Sequence, residues 1–123
     1  ADYTPTEVSA QKIKKQDNAL NIELKTTTDI LKALGEQKRD GQLLVGFALE
    51  TNNEEQNAID KLKKKNLDFI VLNSLNDKGA GFKTDTNKIT IIDRSLQKST
   101  FELKDKNEVA ADICNKLAEL INA

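Results

Sequence analysis

Apolar and polar positions along the chain switch between a period of two and a period of about three and a half. Leu20, Ile22 and Leu24 alternate with Asn21, Glu23 and Lys25, which is the period of a half-buried strand. Thr26, Thr27 and Thr28 then offer a helix N-cap, and Asp29 places a negative charge at the positive end of the helix dipole. Ile30, Leu31 and Leu34 give that short helix one apolar face, and Asp40-Gly41 marks a turn after it. Residues 1–17 contain Pro5 and little periodicity, and they read as a loop or mobile arm.

Residues 43–49 form a continuous apolar run bounded by a turn. Such a run suits a strand covered on both faces, as in a parallel sheet. Asn52 and Asn53 can cap the next helix, expected over residues 54–66 with Ala58, Ile59 and Leu62 inward and Leu67 at its exit. A second buried strand follows at 68–73. Strand, helix, strand at this spacing predicts a βαβ unit with strands 43–49 and 68–72 adjacent and parallel. Residues 74–87 form a long polar loop with Gly79 and Gly81, of a length that is often functional. Residues 88–93 and 100–103 read as a strand pair around a polar turn. Asp105-x-x-Glu108 resembles a capping box, and Val109, Ile113, Leu117, Leu120 and Ile121 stripe the last helix.

The fold class predicted is α/β: a three-layer, mainly parallel, Rossmann-like sheet with added antiparallel strands. The chain reads as a single α/β domain over residues 1–123, since no low-complexity tract or linker divides it.

Charge sharpens this picture by exclusion. There are 19 basic and 20 acidic residues, a net charge of −1, so nothing global calls for nucleic acid or an anionic membrane. Any anion site must be a local cluster. With no histidine and one cysteine, Cys114, an internal disulfide and a serine–histidine triad are excluded, and a zinc site is disfavoured. Cys114 reads as a small buried or half-buried side chain rather than a nucleophile. No apolar run is long enough to span a bilayer, and the expectation is a cytoplasmic protein.

Four local clusters could carry chemistry. Lys12-Ile13-Lys14-Lys15 could close over phosphates, or could be a solvated basic loop. Thr28-Asp29-Ile30-Leu31 opens a helix whose free N–H groups suit a base or phosphate, or it is an ordinary cap. Phe47 lies near the carboxyl end of a strand, where ligands of open α/β sheets bind; it is a stacking residue or a core phenylalanine. Gly46 lets another group approach the backbone. Lys61 and Lys65 share a helix face at i, i+4, and form either a phosphate clamp or a pair of lysines favoured by the helix C-terminus.

In succession these stretches resemble one family. The elements are Ala1-Asp2-Tyr3, Lys12-Ile13-Lys14-Lys15, Asp29-Ile30, Gly46-Phe47-Ala48-Leu49-Glu50-Thr51-Asn52, Lys61-x-x-x-Lys65-Asn66-Leu67-Asp68 and Gly81-Phe82-x-Thr84-Asp85-x-Asn87. In this order they are similar to the C-terminal part of bacterial phosphopantothenoylcysteine synthetase. The resemblance implies a ligase that activates 4′-phosphopantothenate with CTP, accompanied by Mg2+, through an acyl-cytidylate, and then joins it to cysteine. It implies nucleotide contacts from Asp2, Lys12, Thr28, Asp29, Ile30, Leu31, Phe47, Lys61 and Lys65, with Lys12 catalytic on a flap. It also implies a homodimer. The stretch 4–17 is expected to be poorly ordered without ligand, because few apolar residues anchor it and Lys12, Lys14 and Lys15 repel one another without an anion.

Thr28 stands where relatives often carry proline, and Asn73-Ser74-Leu75 where they often show Asn-Asp-Val. The family's glycine-rich nucleotide loop, and its asparagine that contacts the acyl intermediate, would lie upstream of Ala1. On that basis the chain is a part of the ligase, inactive alone. The alternative is a non-catalytic dimerisation and half-site module. Nucleic-acid binding is disfavoured by balanced charge and by only four phenylalanines and one tyrosine.

Overall fold

The computed structural model describes residues 1–15, 18–74, 76 and 85–123. These fall into two compact units, residues 1–30 and residues 31–123.

The first unit is a two-stranded ribbon. β1 (Tyr3–Pro5) pairs antiparallel with β2 (Leu24–Thr26), with Tyr3 opposite Thr26 and Pro5 opposite Leu24. Main-chain bonds from Thr6 N to Glu23 O and from Thr27 N to Asp2 O, each 2.9 Å, extend it at both ends. Two expectations change here. Residues 1–17 are not loop throughout, because Tyr3–Pro5 is a strand. The strand expected from Leu20 begins only at Leu24, because its ladder ends where its short partner ends. Leu20, Ile22 and Leu24 are all exposed; alternation marks a possible face, but a partner strand decides its length.

The second unit contains α1 (Ile30–Gln37, its first residue assigned to the other unit), β3 (Val45–Glu50), α2 (Glu54–Lys64), β4 (Phe69–Ser74), β5 (Thr86–Asn87), β6 (Ile89–Asp93), β7 (Lys98–Thr100), β8 (Lys104–Asp105) and α3 (Lys106–Ile121). Its main sheet runs β3-β4-β6-β7. β3 and β4 are parallel, with Val45 opposite Phe69 and Glu50 opposite Ser74, and α2 connects them. The βαβ unit is therefore present as expected.

The sheet as a whole is mixed rather than mainly parallel. β6 joins β4 antiparallel, and β7 joins β6 antiparallel. The β6–β7 pair is the one expected around a polar turn, and its connection is closed locally. Asp93 Oδ1 accepts from Ser95 N, Ser95 Oγ and Gln97 N at 3.0, 2.7 and 3.1 Å, and Leu96 adopts a φ of 63°. This local network closes a hairpin, and a hairpin can only join antiparallel neighbours. It also sets the register, so the second strand of the pair is 98–100 rather than 100–103. β5 and β8 form a separate antiparallel pair.

Strand alternation sends two sets of side chains to opposite faces. Ala48, Ile70, Leu72 and Ile92 pack with Ala58 and Leu62 of α2 and with Leu31 of α1. Phe69, Val71, Ile89 and Ile91 pack with Val109, Ile113, Leu117 and Leu120 of α3. The stripe predicted for α3 is thus its inward face, except for exposed Ile121. Asp105 caps α3, accepting from Asn107 N and Glu108 N at 2.9 and 3.0 Å. The cap expected for α2 is not made: Asn53 occupies the N-cap at φ 44° without a side-chain bond. Of the loop 74–87, residues 75 and 77–84, with Gly79, Gly81 and Phe82, lie outside the described residues.

Candidate functional site

β3 is an edge strand of the described sheet. Gly46 and Ala48 turn toward α2, and Phe47 turns to the face that carries α3. Phe47 is 66% exposed, so it is not the core phenylalanine that a strand interior could have held. It borders a recess of about 380 Å³ between the sheet and the first turns of α3, lined also by Leu49, Val71, Asn73, Asn87, Lys106, Val109 and Ile113. Gly46 does permit close approach, but by Leu67 from within the fold. A Cβ at Gly46 would lie 2.4 Å from Leu67 Cδ1.

Lys61 and Lys65 are both half-buried, one turn apart at the end of α2. Lys61 is therefore less exposed than its place near a helix end suggested. Its Nζ lies 3.7 Å from Glu50 Oε1, and Asn57 Nδ2 donates to Glu50 Oε2 at 3.4 Å. A carboxylate at the end of β3 thus holds one of the two ammonium groups. Lys65 is the C-cap residue, its N–H donating to Lys61 O at 3.1 Å.

Beyond Lys65, the residues that follow in the motif have structural work that pattern reading missed. Asn66 takes a φ of 55°, the left-handed turn that often ends helices. Its Nδ2 donates to Gly35 O at 2.9 Å, and its Oδ1 accepts from Arg94. Asn66 O accepts from Lys38 Nζ at 2.7 Å. Lys38 also pairs with Asp68 Oδ2 at 3.1 Å, and Leu44 N donates to the same oxygen at 2.7 Å. An asparagine just past a lysine-rich helix end was the signal for the turn; the long-range partners left none.

Near the other end of α3, Asp93 is buried and pairs with Lys116 at 3.1 Å. Burial pushes its pKa up, but the bonds from Ser95, Lys116 and Gln97 N–H, with the Lys116 charge, outweigh this and hold it below the ordinary aspartate range. Cys114 is exposed rather than buried, because it lies one position round the helix from inward Ile113.

The remaining predicted site residues belong to the ribbon unit, except Leu31. Asp2 and Lys12 are exposed, and Asp2 O serves the ribbon. Thr28, Asp29 and Ile30 are exposed where the chain enters α1, and Leu31 packs into the core beside Gly46. Among the described residues no group of three or more aspartate, glutamate or cysteine side chains could hold a metal, and no helix is long and apolar enough to cross a membrane.

Comparison with known proteins places these features. A family model described as the DNA/pantothenate metabolism flavoprotein C-terminal domain matches residues 1–121. The chain is 47% identical over 120 residues to the coenzyme A biosynthesis bifunctional protein CoaBC of Bacillus subtilis, covering 98% of this chain and 29% of that protein. It is 56% identical over 122 residues to a cysteine/cysteine sulfinic acid decarboxylase of an unknown prokaryotic organism, covering 99% of this chain and 34% of that protein. The chain therefore spans about a third of the length of these curated relatives. A crystal structure of the C-terminal domain of a CoaBC protein superposes with a TM-score of 0.75 at 36% identity, over 98% of this chain and 50% of that one. The DNA/pantothenate metabolism flavoprotein of Streptococcus pneumoniae shares the fold at a TM-score of 0.70 and 22% identity, over 98% and 59%. The chain belongs to the family of DNA/pantothenate metabolism flavoprotein C-terminal domains.

Proposed function

We propose that this chain is the C-terminal part of a phosphopantothenate–cysteine ligase of coenzyme A biosynthesis, with CTP as the activating nucleotide. The observation that carries the reading is the exposed Phe47, midway along β3, beside a recess over the sheet face that carries α3, in a chain whose family and CoaBC relatives are established above. A large exposed aromatic ring beside a recess offers a stacking surface for a flat base, although it lies further from the strand's carboxyl end than the sequence suggested.

In this reading the phosphopantothenate carboxylate oxygen attacks the α-phosphorus of CTP, and pyrophosphate leaves. The amine of cysteine then attacks the acyl carbon, and CMP leaves. Lys61 and Lys65 hold nucleotide phosphates, and Lys12 stabilises charge that builds on the α-phosphate. Asp2 and residues 28–31 contribute further nucleotide contacts. Mg2+ would accompany the triphosphate and neutralise part of its charge. The exposed apolar residues of the ribbon, including Tyr3, Leu20, Ile22 and Leu24, serve a homodimer. A preceding glycine-rich half completes the Rossmann-like domain. Positioning within about 3–3.5 Å needs both halves, so the 123-residue chain alone does not turn over.

The test uses the complete gene product. Pyrophosphate release should require CTP and 4′-phosphopantothenate together, and CMP should appear on adding cysteine. A second reading follows from the relative named as a cysteine/cysteine sulfinic acid decarboxylase. Carbon dioxide release from either compound, with no nucleotide consumed, would establish that reading and remove the ligase.

A further inference from the structure

Lys61 meets a carboxylate that other groups hold in place. Asn57 and Lys61 stand one turn apart on α2, so their side chains share a face and lean toward the start of the helix. That direction leads to Glu50, the last residue of β3, which by alternation from Ala48 faces α2. Lys61 Nζ lies 3.7 Å from Glu50 Oε1. Asn57 Nδ2 donates to Glu50 Oε2 at 3.4 Å and to Asn52 O at 2.9 Å, so a neutral amide ties the carboxylate to the chain leaving β3. The Glu50 and Lys61 side chains are 20% and 30% exposed, and the pair is screened less than it would be in open solvent. Yet 3.7 Å is too long for a hydrogen bond, so the N–H donors of Lys61 are not spent on Glu50.

A carboxylate beside a lysine that is to hold phosphate needs a reason, since like charges repel at short range. Stability is a poor reason, because a partly exposed pair at this distance contributes little. Orientation is a better one. Lysine is a point charge on a flexible four-carbon stem, and ordering such a stem on binding costs affinity. A fixed carboxylate behind the ammonium orders the stem beforehand; protein kinases use a lysine–glutamate pair to the same end. We propose that Glu50 is a positioning residue. It holds the Lys61 ammonium ready for a nucleotide phosphate without touching the nucleotide itself, and Asn57 fixes Glu50. The proposal rests on the nucleotide-dependent ligase reading above and deepens it.

The experiment measures steady-state kinetics of the complete protein, from pyrophosphate release with CTP and 4′-phosphopantothenate, beside melting temperatures. Glu50→Gln keeps an acceptor for Asn57 and removes the charge. It should raise KM for CTP about fivefold and leave kcat, KM for phosphopantothenate and melting temperature near wild type. In the Lys61→Gln background the same change should add less than about twofold, because the group through which it acts is gone. Glu50→Asp keeps the charge but shortens the reach, so it should raise KM as well; it also serves if the glutamine variant fails to fold. Glu55→Gln removes a carboxylate that pairs with Lys98 instead, and it should leave the kinetics unchanged. A lower KM for CTP in Glu50→Gln would make Glu50 only a repelling charge. A lower melting temperature at unchanged KM would make it structural, and equal factors in both backgrounds would show that it does not act through Lys61. Each of these overturns the proposal and leaves the ligase reading standing. If wild type consumes no nucleotide at all, both fall together.

Discussion

Gly35→Ala should destabilise the larger unit, although alanine is the better helix former. A Cβ on Gly35 would sit 2.0 Å from Lys65 O and 2.8 Å from Lys65 C. Both are main-chain atoms at the end of α2, so no side chain can rotate away. A carbon–oxygen contact needs about 3.3 Å, so α1 must withdraw by about 1.3 Å. That movement pulls against the bond from Asn66 Nδ2 to Gly35 O, 2.9 Å long. Overpacking of this kind costs about 1–3 kcal/mol, and losing the hydrogen bond adds about 1 kcal/mol. Helix propensity returns about 0.8–1.0 kcal/mol at an interior position. The net expectation is a loss of about 1–3 kcal/mol, read as a lower urea midpoint at unchanged slope. Gly41→Ala is the control. Gly41 has a φ of 83° and nothing near its would-be Cβ, so it should lose only the cost of a left-handed alanine, about 1–2 kcal/mol. Gly35→Ala as stable as wild type would refute the close packing of α1 against α2.

The other predictions test neighbouring links. Asp93 has a pKa held below its ordinary 3.8, so its stabilising effect is present above that pH and is lost as pH falls through the lower folded value; Asp93→Asn should flatten this acid limb in denaturation profiles, and an unchanged limb would count against it. Asn66→Gly should cost less than Asn66→Ala in thermal unfolding, because glycine keeps the left-handed turn at φ 55° while both lose the side-chain bonds; equal losses would leave the turn without energetic weight. Lys61→Gln in the complete protein should raise KM for nucleotide with a near-wild-type melting temperature, since its ion pair with Glu50 at 3.7 Å is a weak one; unchanged nucleotide kinetics would make the lysine structural.

The parts of this structure legible in the sequence are those where one signal acts alone. Residues 43–49 and 68–72 announce buried strands because an apolar run of that length has few other uses, and Asp105 announces a helix start because its carboxylate meets N–H groups two and three residues away. Errors arose where a distant partner decides. The alternation at Leu20, Ile22 and Leu24 suggested a longer strand than a ribbon with Tyr3–Pro5 can support. The strand pair around a polar turn was legible, but not that its first strand joins β4 antiparallel and so makes the main sheet mixed. For the site, Phe47 was visible as a candidate, but its exposure depends on how far α3 reaches across the sheet. Asn73 gave no signal, because its buried Oδ1, unmet among the described residues, is defined only once the neighbours are in place.

The two ends of the parallel pair differ in how completely their polar groups are used. At the amino ends, Asp68 Oδ2 accepts from both Lys38 Nζ and Leu44 N, and Asn66 joins α1 to Arg94. Further along, Phe47 stands exposed midway on β3, and Asn73 Oδ1, near the end of β4, is unmet among the described residues. Fixed polar groups with unused capacity can stabilise a ligand without reorganising when it arrives. The closed network makes that possible, since it fixes β3 to β4 at one end and so sets the spacing of Phe47 and Asn73 beyond it. Asn66 fastens the end of α2, and the half-buried Lys65 before it, whose N–H donates to Lys61 O, has a defined backbone position at the amino end of the pair. If the proposed phosphate contact is made there, a lysine on this turn spends less binding energy on ordering itself than one on a frayed helix end.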